Sequence, residues 1–184
     1  MNVNMMKNQV TANIQMKIQD NFLPQEQYEH IRKTIMAADF PWFYNSSVLY
    51  GIDLNDDISD RGQFTHAFLA PDDEVALQKV LSYHFDLIKP LLDNLKFSEI
   101  FKIKSNLQLR TESIEKTGWH DDGYGDCTTS IYYINSNDGM TEFEDGSLVD
   151  SVANRMISFN GRTQHRGSTH TKTKTRVLIN LNYQ

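Results

Sequence analysis

His120 and Asp122 sit two residues apart, between Gly118-Trp119 and the glycine-rich stretch Gly123-Tyr124-Gly125-Asp126. An imidazole and a carboxylate at that spacing can reach one metal ion from an irregular turn or a strand end. A second histidine from a distant strand would complete three ligands on one face of an octahedron. Three positions then stay open, the donor set of non-haem iron(II) centres. Two histidines compete for that role. His165 lies in Gln164-His165-Arg166-Gly167, after a β run and a turn, whereas His170 lies in the polar stretch Thr169 to Thr175, which reads as an exposed hairpin loop. The reading favours His165. Asp121 is an alternative carboxylate, though the spacing favours Asp122.

His-x-Asp alone is a weak signal, because the chain contains it twice. His84-Phe85-Asp86 falls inside a helical pattern, where residues i and i+2 point about 200° apart and cannot grip one ion. His30 and His66 read as surface or packing residues. The one cysteine, Cys127, excludes an internal disulfide and a thiolate cage, and reads as a small strand-edge residue without a redox role.

The elements that must position these residues change character near residue 97. Pro24 suits a first helical turn, and Tyr28, Ile31 and Ile35 follow at helical spacing. A second helix is expected after Pro71-Asp72-Asp73-Glu74, with Val75, Leu77, Leu81, Phe85 and Ile88 as its apolar stripe until Pro90 disturbs it. Pro41 to Asp60 reads as strand and loop. Beyond residue 97 the period becomes two. Phe101, Ile103, Leu107 and Leu109 alternate with Lys102, Lys104, Asn106, Gln108 and Arg110, and three more β runs are expected at Thr129 to Asn135, Arg155 to Phe159 and Arg176 to Asn182. Turns fall at residues 123–126, 136–139 and 160–161.

The strand faces carry further information. In the last run Val177, Ile179 and Leu181 form one face, with Arg176, Leu178 and Asn180 on the other. Two strands that are half apolar and half polar can simply be solvated on the polar side. In a small barrel the polar faces instead turn into a lumen that binds a charged ligand.

At 184 residues, with 39% hydrophobic and 23% charged residues, the chain suits a single domain, residues 1–184. Within it, 1–96 is expected to be mostly helical support and 97–184 the core strands with the metal site. The net charge of -6 argues against nucleic acid as the main partner. Residues 1–10 lack an apolar signal-peptide region, and no apolar run approaches the roughly 20 residues that span a bilayer. A cytoplasmic location is the expectation.

From Asn106 to Tyr183 the sequence resembles the 2-oxoglutarate and Fe(II)-dependent dioxygenases of the prolyl-4-hydroxylase-like branch, including short forms found in phages and marine bacteria. The matching pieces are Trp119-His120-Asp121-Asp122, Thr129 to Asn135, Gly139-Met140-Thr141-Glu142-Phe143, Asn154 to Phe159, His165-Arg166-Gly167 and Arg176 to Asn180. The resemblance implies an α+β domain built on a double-stranded β-helix, or jelly roll, with the N-terminal helices packed on one sheet. It also implies roles: His120, Asp122 and His165 match the iron ligands. Arg176 matches the basic residue that pairs with the far carboxylate of 2-oxoglutarate, Tyr133 a tyrosine that hydrogen-bonds it, and Thr141 lines the same pocket. The interval from His165 to Arg176 is slightly longer than usual, and Arg110 stands where some relatives place a pocket residue of another type.

On this resemblance the cofactor is Fe(II), with 2-oxoglutarate and O2 as co-substrates and ascorbate as an optional reductant. The product side is succinate, CO2 and a hydroxylated small molecule or peptide, a prolyl residue being the first guess. Gly123-Tyr124-Gly125 and Tyr44 to Asp60 are candidate lids, and Trp119 reads as packing. Taken alone, Tyr132 and Tyr133 are aromatic strand formers, Arg176 a strand-end surface charge, and Lys172 and Lys174 solvated. Two alternatives remain: an iron-binding jelly-roll oxygenase that does not use 2-oxoglutarate, and a jelly-roll binding module without catalysis.

Overall fold

Pro24 and the helical spacing after it nucleate the first helix. In the computed structural model, which describes residues 14–46, 62–71 and 79–184, this helix is α1 (Gln25–Ile35), and Tyr28, Ile31 and Ile35 are its buried face. It follows a short strand, β1 (Lys17–Gln19), and precedes β2 (Phe43–Asn45), β3 (Gln63–Pro71) and β4 (Lys79–Leu81). A 3-10 turn (Phe85–Ile88) then runs into α2 (Lys89–Leu92). The remaining strands are β5 (Ile100–Leu109), β6 (Thr128–Tyr133), β7 (Met140–Phe143), β8 (Leu148–Asp150), β9 (Arg155–Asn160), β10 (His165–Gly167) and β11 (Thr175–Tyr183).

The strands form two antiparallel sheets. The larger has the order β1-β9-β6-β11-β5-β3-β2, with β4 also paired to β3, and the smaller has the order β10-β7-β8. Bridges Lys116↔Ser168 and His120↔His165 lay residues 116–120 along the free side of β10. Both halves of the chain contribute to the large sheet, since β3 pairs with β5 and β1 with β9.

Alternation sorts the side chains of the large sheet. Its outer face, with Ile103, Tyr132, Val177, Ile179 and Leu181, packs on Ile31 and Ile35 of α1 and on Ile88 and Leu91. Each such aliphatic side chain contributes about 1.5–3 kcal/mol on burial. The inner face meets the small sheet through Tyr133, Phe143, Val149, Phe159 and Leu178. This is the expected jelly roll with helices on one sheet.

The second helix is a correction. Its first part, residues 72–78, lies outside the described residues, but Lys79–Leu81 is a strand whose Leu81, Val80 and Lys79 pair with Leu69, Ala70 and Pro71. Helix begins only at Phe85, and Pro90 falls in the first turn of α2 instead of ending a helix. Pairing with β3 outweighs the helical spacing, and proline suits a first turn because its missing N–H has no intrahelical partner. The described part of residues 1–96 is therefore strand as well as helix. None of its described helices is long and apolar enough to cross a membrane.

Asn154 ties the segment before α1 to the large sheet. Its Oδ1 accepts from the Leu23 amide (3.0 Å) and the Tyr132 hydroxyl (2.7 Å), and its Nδ2 donates to the Leu23 carbonyl (2.9 Å). It holds a φ of 60°, a left-handed conformation that asparagine tolerates better than alanine. Asn154→Ala combines that strain with unsatisfied buried groups and should cost about 3 kcal/mol in urea unfolding. Asn154→Gly should recover about 1 kcal/mol of it. A loss below about 0.5 kcal/mol, the range of ordinary surface changes, would show that this tie is not structural.

Candidate metal centre and its cavity

The centre begins as a piece of backbone. The His120 N–H donates to the His165 carbonyl (3.0 Å) and the His165 N–H to the His120 carbonyl (2.9 Å), which sets the two imidazoles side by side with ring centroids 4.5 Å apart. The Nδ1 of His120 lies 3.2 Å from the Gly118 carbonyl, and that of His165 lies 2.9 Å from the Thr163 carbonyl. A carbonyl only accepts, so each Nδ1 carries a proton, which leaves Nε2 as the atom turned toward a ligand. Burial also holds the His165 imidazole below its ordinary pKa, which favours the neutral, ligating form.

Asp122 joins them after a turn in which Gly123 and Gly125 take φ values of 75° and 68°. Its Oδ2 accepts from Thr129 Oγ1 (2.5 Å) and Asn182 Nδ2 (2.8 Å), which fixes the carboxylate from behind. The candidate ligand atoms of His120, Asp122 and His165 all lie within 4.8 Å of one another. Asp121 is turned elsewhere: it accepts from the Gly123 amide through Oδ1 (2.9 Å) and from Gln164 Nε2 through Oδ2 (3.1 Å). Two imidazoles and one oriented carboxylate suit a divalent iron-type ion.

The three groups open on a cavity of about 520 Å³ between the sheets, lined by the inward faces of β5 and β11. In register, Arg176 pairs with Gln108, Leu178 with Asn106, Asn180 with Lys104 and Asn182 with Lys102. The polar faces read from the sequence therefore line the lumen. Arg176 is only 3% exposed. Its Nε donates to Ser151 Oγ (3.0 Å), and its terminal nitrogens lie 3.4 Å from Gln108 Oε1 and the Met140 carbonyl. All three acceptors are neutral, and no carboxylate forms a salt bridge with Arg176 among the described residues. Tyr133 hydroxyl and Thr141 Oγ1 share a 2.8 Å hydrogen bond, and the guanidinium lies 5.9 Å from the Tyr133 ring.

Several residues here escaped the sequence reading. Ser151 and Gln108 hold the guanidinium, and Gly139 makes room for it: a Cβ there would stand 2.8 Å from Arg176 Cδ. The glycine was visible in a turn motif, but its contact with Arg176 is a long-range one. Lys102 and Lys104 also line the lumen, and burial and the neighbouring Lys102 lower the pKa of Lys104 to about 8 while Asp122 opposes the shift. Asn106 Oδ1 and Asn180 Oδ1 are buried without a hydrogen-bond partner. Such atoms in a lumen call for a ligand or water that donates to them.

Other expectations fall differently. Arg110 is exposed beyond the end of β5, so Gln108 and not Arg110 reaches the pocket. His170 is not on an exposed loop: it is fully buried, because Asp138 accepts from the backbone of Thr171 and Lys172 and from the Thr171 hydroxyl, folding the segment inward. That inward fold accommodates the long interval before Arg176, and His170 stays outside the ligand cluster. Trp119 is not packed away but 42% exposed at the cavity, with the Arg166 guanidinium 4.1 Å above its ring. His66 packs between Pro41 and Ser82, while His84 lies beside it and Asp86 pairs with Lys89. Lys172 and Lys174 are exposed, and the buried Cys127 thiol has a raised pKa. Tyr124 stacks on Phe101 (5.6 Å, 5°) at the cavity, whereas most of the Tyr44 to Asp60 candidate lid, residues 47–60, lies outside the described residues.

These contacts fix an expected pattern of metal content after dialysis against Mn(II) or Co(II). His120→Ala, Asp122→Asn and His165→Gln should each lose the ion, whereas His84→Gln, His170→Gln and Asp121→Asn should retain it. Asn182→Ala, which only frees the back of Asp122, should weaken binding by about 10–100-fold. Retention by His165→Gln with loss in His170→Gln would overturn the ligand set.

No protein-family model matches this sequence, and no curated protein matches it. Solved structures do. A Trichoplax adhaerens prolyl hydroxylase in complex with a hypoxia inducible factor oxygen degradation domain peptide fragment aligns with a TM-score of 0.62 and 16% identity, over 91% of this chain and 82% of that one. A 2OG-Fe(II) oxygenase family oxidoreductase from Burkholderia pseudomallei aligns at 0.64 and 11%, over 91% and 84%. A Pseudomonas putida prolyl-4-hydroxylase aligns at 0.56 and 14%, over 94% of each chain. These alignments give this chain the jelly-roll fold of the 2-oxoglutarate-Fe(II) oxygenases.

Proposed function

We propose that residues 1–184 act as one Fe(II)- and 2-oxoglutarate-dependent dioxygenase domain that hydroxylates an organic substrate, releasing succinate and CO2. The observation that carries this reading is Arg176, buried without an acidic partner among the described residues in the lumen that His120, Asp122 and His165 also face. An unpaired buried guanidinium is costly, and a dicarboxylate held there would supply the missing charge through two parallel hydrogen bonds. A triad-only oxygenase leaves that burial unexplained, and a non-catalytic binding module has no use for the three convergent ligand groups.

His120, Asp122 and His165 would hold iron, and the bound ion and 2-oxoglutarate would supply oxygen activation at the substrate C–H bond. The rest is work for this chain. Arg176, fixed by Ser151 and Gln108, orients the far carboxylate, and Tyr133 and Thr141 offer hydroxyls beside it. Thr129 and Asn182 keep the Asp122 carboxylate aimed. The two sheets exclude bulk water from this end of the lumen, which strengthens each electrostatic contact. Two of the similar structures are prolyl hydroxylases, so a prolyl residue in a peptide is the first substrate to assay, with and without ascorbate. Cytoplasmic action is part of the proposal.

Titration of the Mn(II)-loaded protein with 2-oxoglutarate tests it. Arg176→Ala should weaken binding by about two to three orders of magnitude, as expected when one member of a buried charge pair costs about 3–5 kcal/mol. Arg176→Lys should recover only part, because an ammonium lacks the planar two-point grip. Gly139→Ala, whose added methyl displaces Arg176, should weaken 2-oxoglutarate without changing metal content. Wild-type affinity in Arg176→Ala would remove 2-oxoglutarate from the reading.

A further inference from the structure

The connection from β10 to β11, residues 168–174, joins the candidate ligand His165 to Arg176 and closes over a histidine. His170 is fully buried, and neither its Nδ1 nor its Nε2 has a hydrogen-bond partner. A neutral imidazole carries one donor and one acceptor, so burial leaves both unsatisfied, a cost that water relieves on opening. Other contacts hold the connection shut. The His170 carbonyl accepts from the Thr111 amide (3.0 Å), and the Thr169 amide donates to the Glu115 carbonyl (2.8 Å). Asp138 accepts from the Thr171 and Lys172 amides (3.0 Å each) and from the Thr171 hydroxyl.

The turn that carries Asp138 also reaches Arg176. Gly139 packs so closely on the arginine side chain that a Cβ there would stand 2.8 Å from its Cδ. The Gly139 amide is held in turn by Asn137 Oδ1 (2.9 Å). A shift of Asp138 with the connection therefore disturbs a contact of Arg176.

Charge decides when the connection opens. Arg176 on β11 and Asp138 in the turn before β7 are the charged groups that act on the His170 ring. Lys172 and Lys174 in the connection are exposed, as are Arg110 and Glu112 beside Thr111, and Glu115 is half-buried. Burial, and then the Arg176 charge, hold the imidazole below its ordinary pKa. Asp138 and the nearby backbone of Thr173 and Lys174 oppose them without prevailing. The ring therefore takes up a proton more readily in the open form, where it meets water. Closure is fully favoured above the unfolded-chain value of about 6.5 and weakens as the pH falls from there. Asp138 does not share this window, because the Thr171 hydroxyl and the two amides hold its carboxyl well below the usual carboxylate range.

We infer that residues 168–174 form a proton-sensitive latch, closed while His170 is neutral and opened by its protonation, and that opening loosens Arg176. The latch stands on contacts within the chain, and only its effect on 2-oxoglutarate rests on the oxygenase reading.

Hydrogen exchange at the Thr171 and Lys172 amides, corrected for intrinsic rates, reads the latch in the full chain without metal. In wild-type protein their protection should fall about tenfold per pH unit below about pH 6.5, the slope for a single proton. His170→Phe, which removes both unsatisfied nitrogens, should give a flat profile. His170→Gln should do the same and guards against a folding defect from the larger ring. Asp138→Asn should lower protection at every pH while keeping the wild-type slope. A flat wild-type profile, or the wild-type slope in the His170 variants, would overturn the latch. Titration of Mn(II)-saturated protein with 2-oxoglutarate over the same range reads the link to Arg176. Affinity should fall with pH more steeply in wild type than in His170→Gln, and equal falls would overturn that link. Failure of the oxygenase reading looks different, since 2-oxoglutarate would then bind wild-type protein at no pH while the exchange profile stayed the same.

Discussion

Val177, Ile179 and Leu181 of β11 are anchored in the core beneath α1 and α2, so the alternate residues Arg176, Leu178, Asn180 and Asn182 must face the lumen. A slip of one residue would exchange the two faces, placing aliphatic side chains against His120, Asp122 and His165 and a guanidinium in the apolar core. The core therefore selects the register, and the register places the chemistry. β5 and β6, on either side of β11, inherit the same alignment: Gln108 opposes Arg176, and Tyr133 opposes Leu178.

A lumen placed in this way gathers polar groups away from bulk water. The structure answers in two ways. Around the candidate ligands His120, Asp122 and His165 the satisfaction is internal: both Nδ1 atoms face carbonyls, and the back of Asp122 is taken by Thr129 and Asn182. Those contacts leave free the atoms that can bind an ion. Along the rest of the lumen satisfaction is incomplete. Arg176 has only neutral acceptors, and two asparagine oxygens have none. Completed contacts orient the ligands, and incomplete ones mark where other molecules belong.

Much of this was legible in the sequence, for reasons that differ by element. β5 and β11 have clean alternation because one face of each is buried against aliphatic residues, and His120, Asp122 and His165 carry a distinctive spacing. β7, β8 and β10 have three or four residues each, too few for a period to show. The stretch before Pro90 has helical spacing, yet Lys79–Leu81 pairs with β3, a contact that local pattern does not encode. His170 was misplaced for a similar reason. Its threonine and lysine neighbours suggest solvent, whereas burial comes from Asp138, 33 residues from Thr171 in the chain.

The division between strands and loops separates what the site does from what it acts on. Arg176, Tyr133 and Thr141 stand on paired strands, and His165 is held by β7 on one side and by His120 on the other. Their positions cannot vary without disturbing the core. Trp119 and Tyr124 lie outside the named strands, partly exposed, where sequence change is tolerated more easily. Lys102 and Lys104 combine both characters, being strand residues whose side chains line the cavity. The backbone pairing of β5 with β11 does not depend on their side chains, which set part of the charge along the cavity wall. The cavity therefore carries its polar lining on rigid strands as well as on loops, and the strand-borne part is fixed by the same register that builds the core.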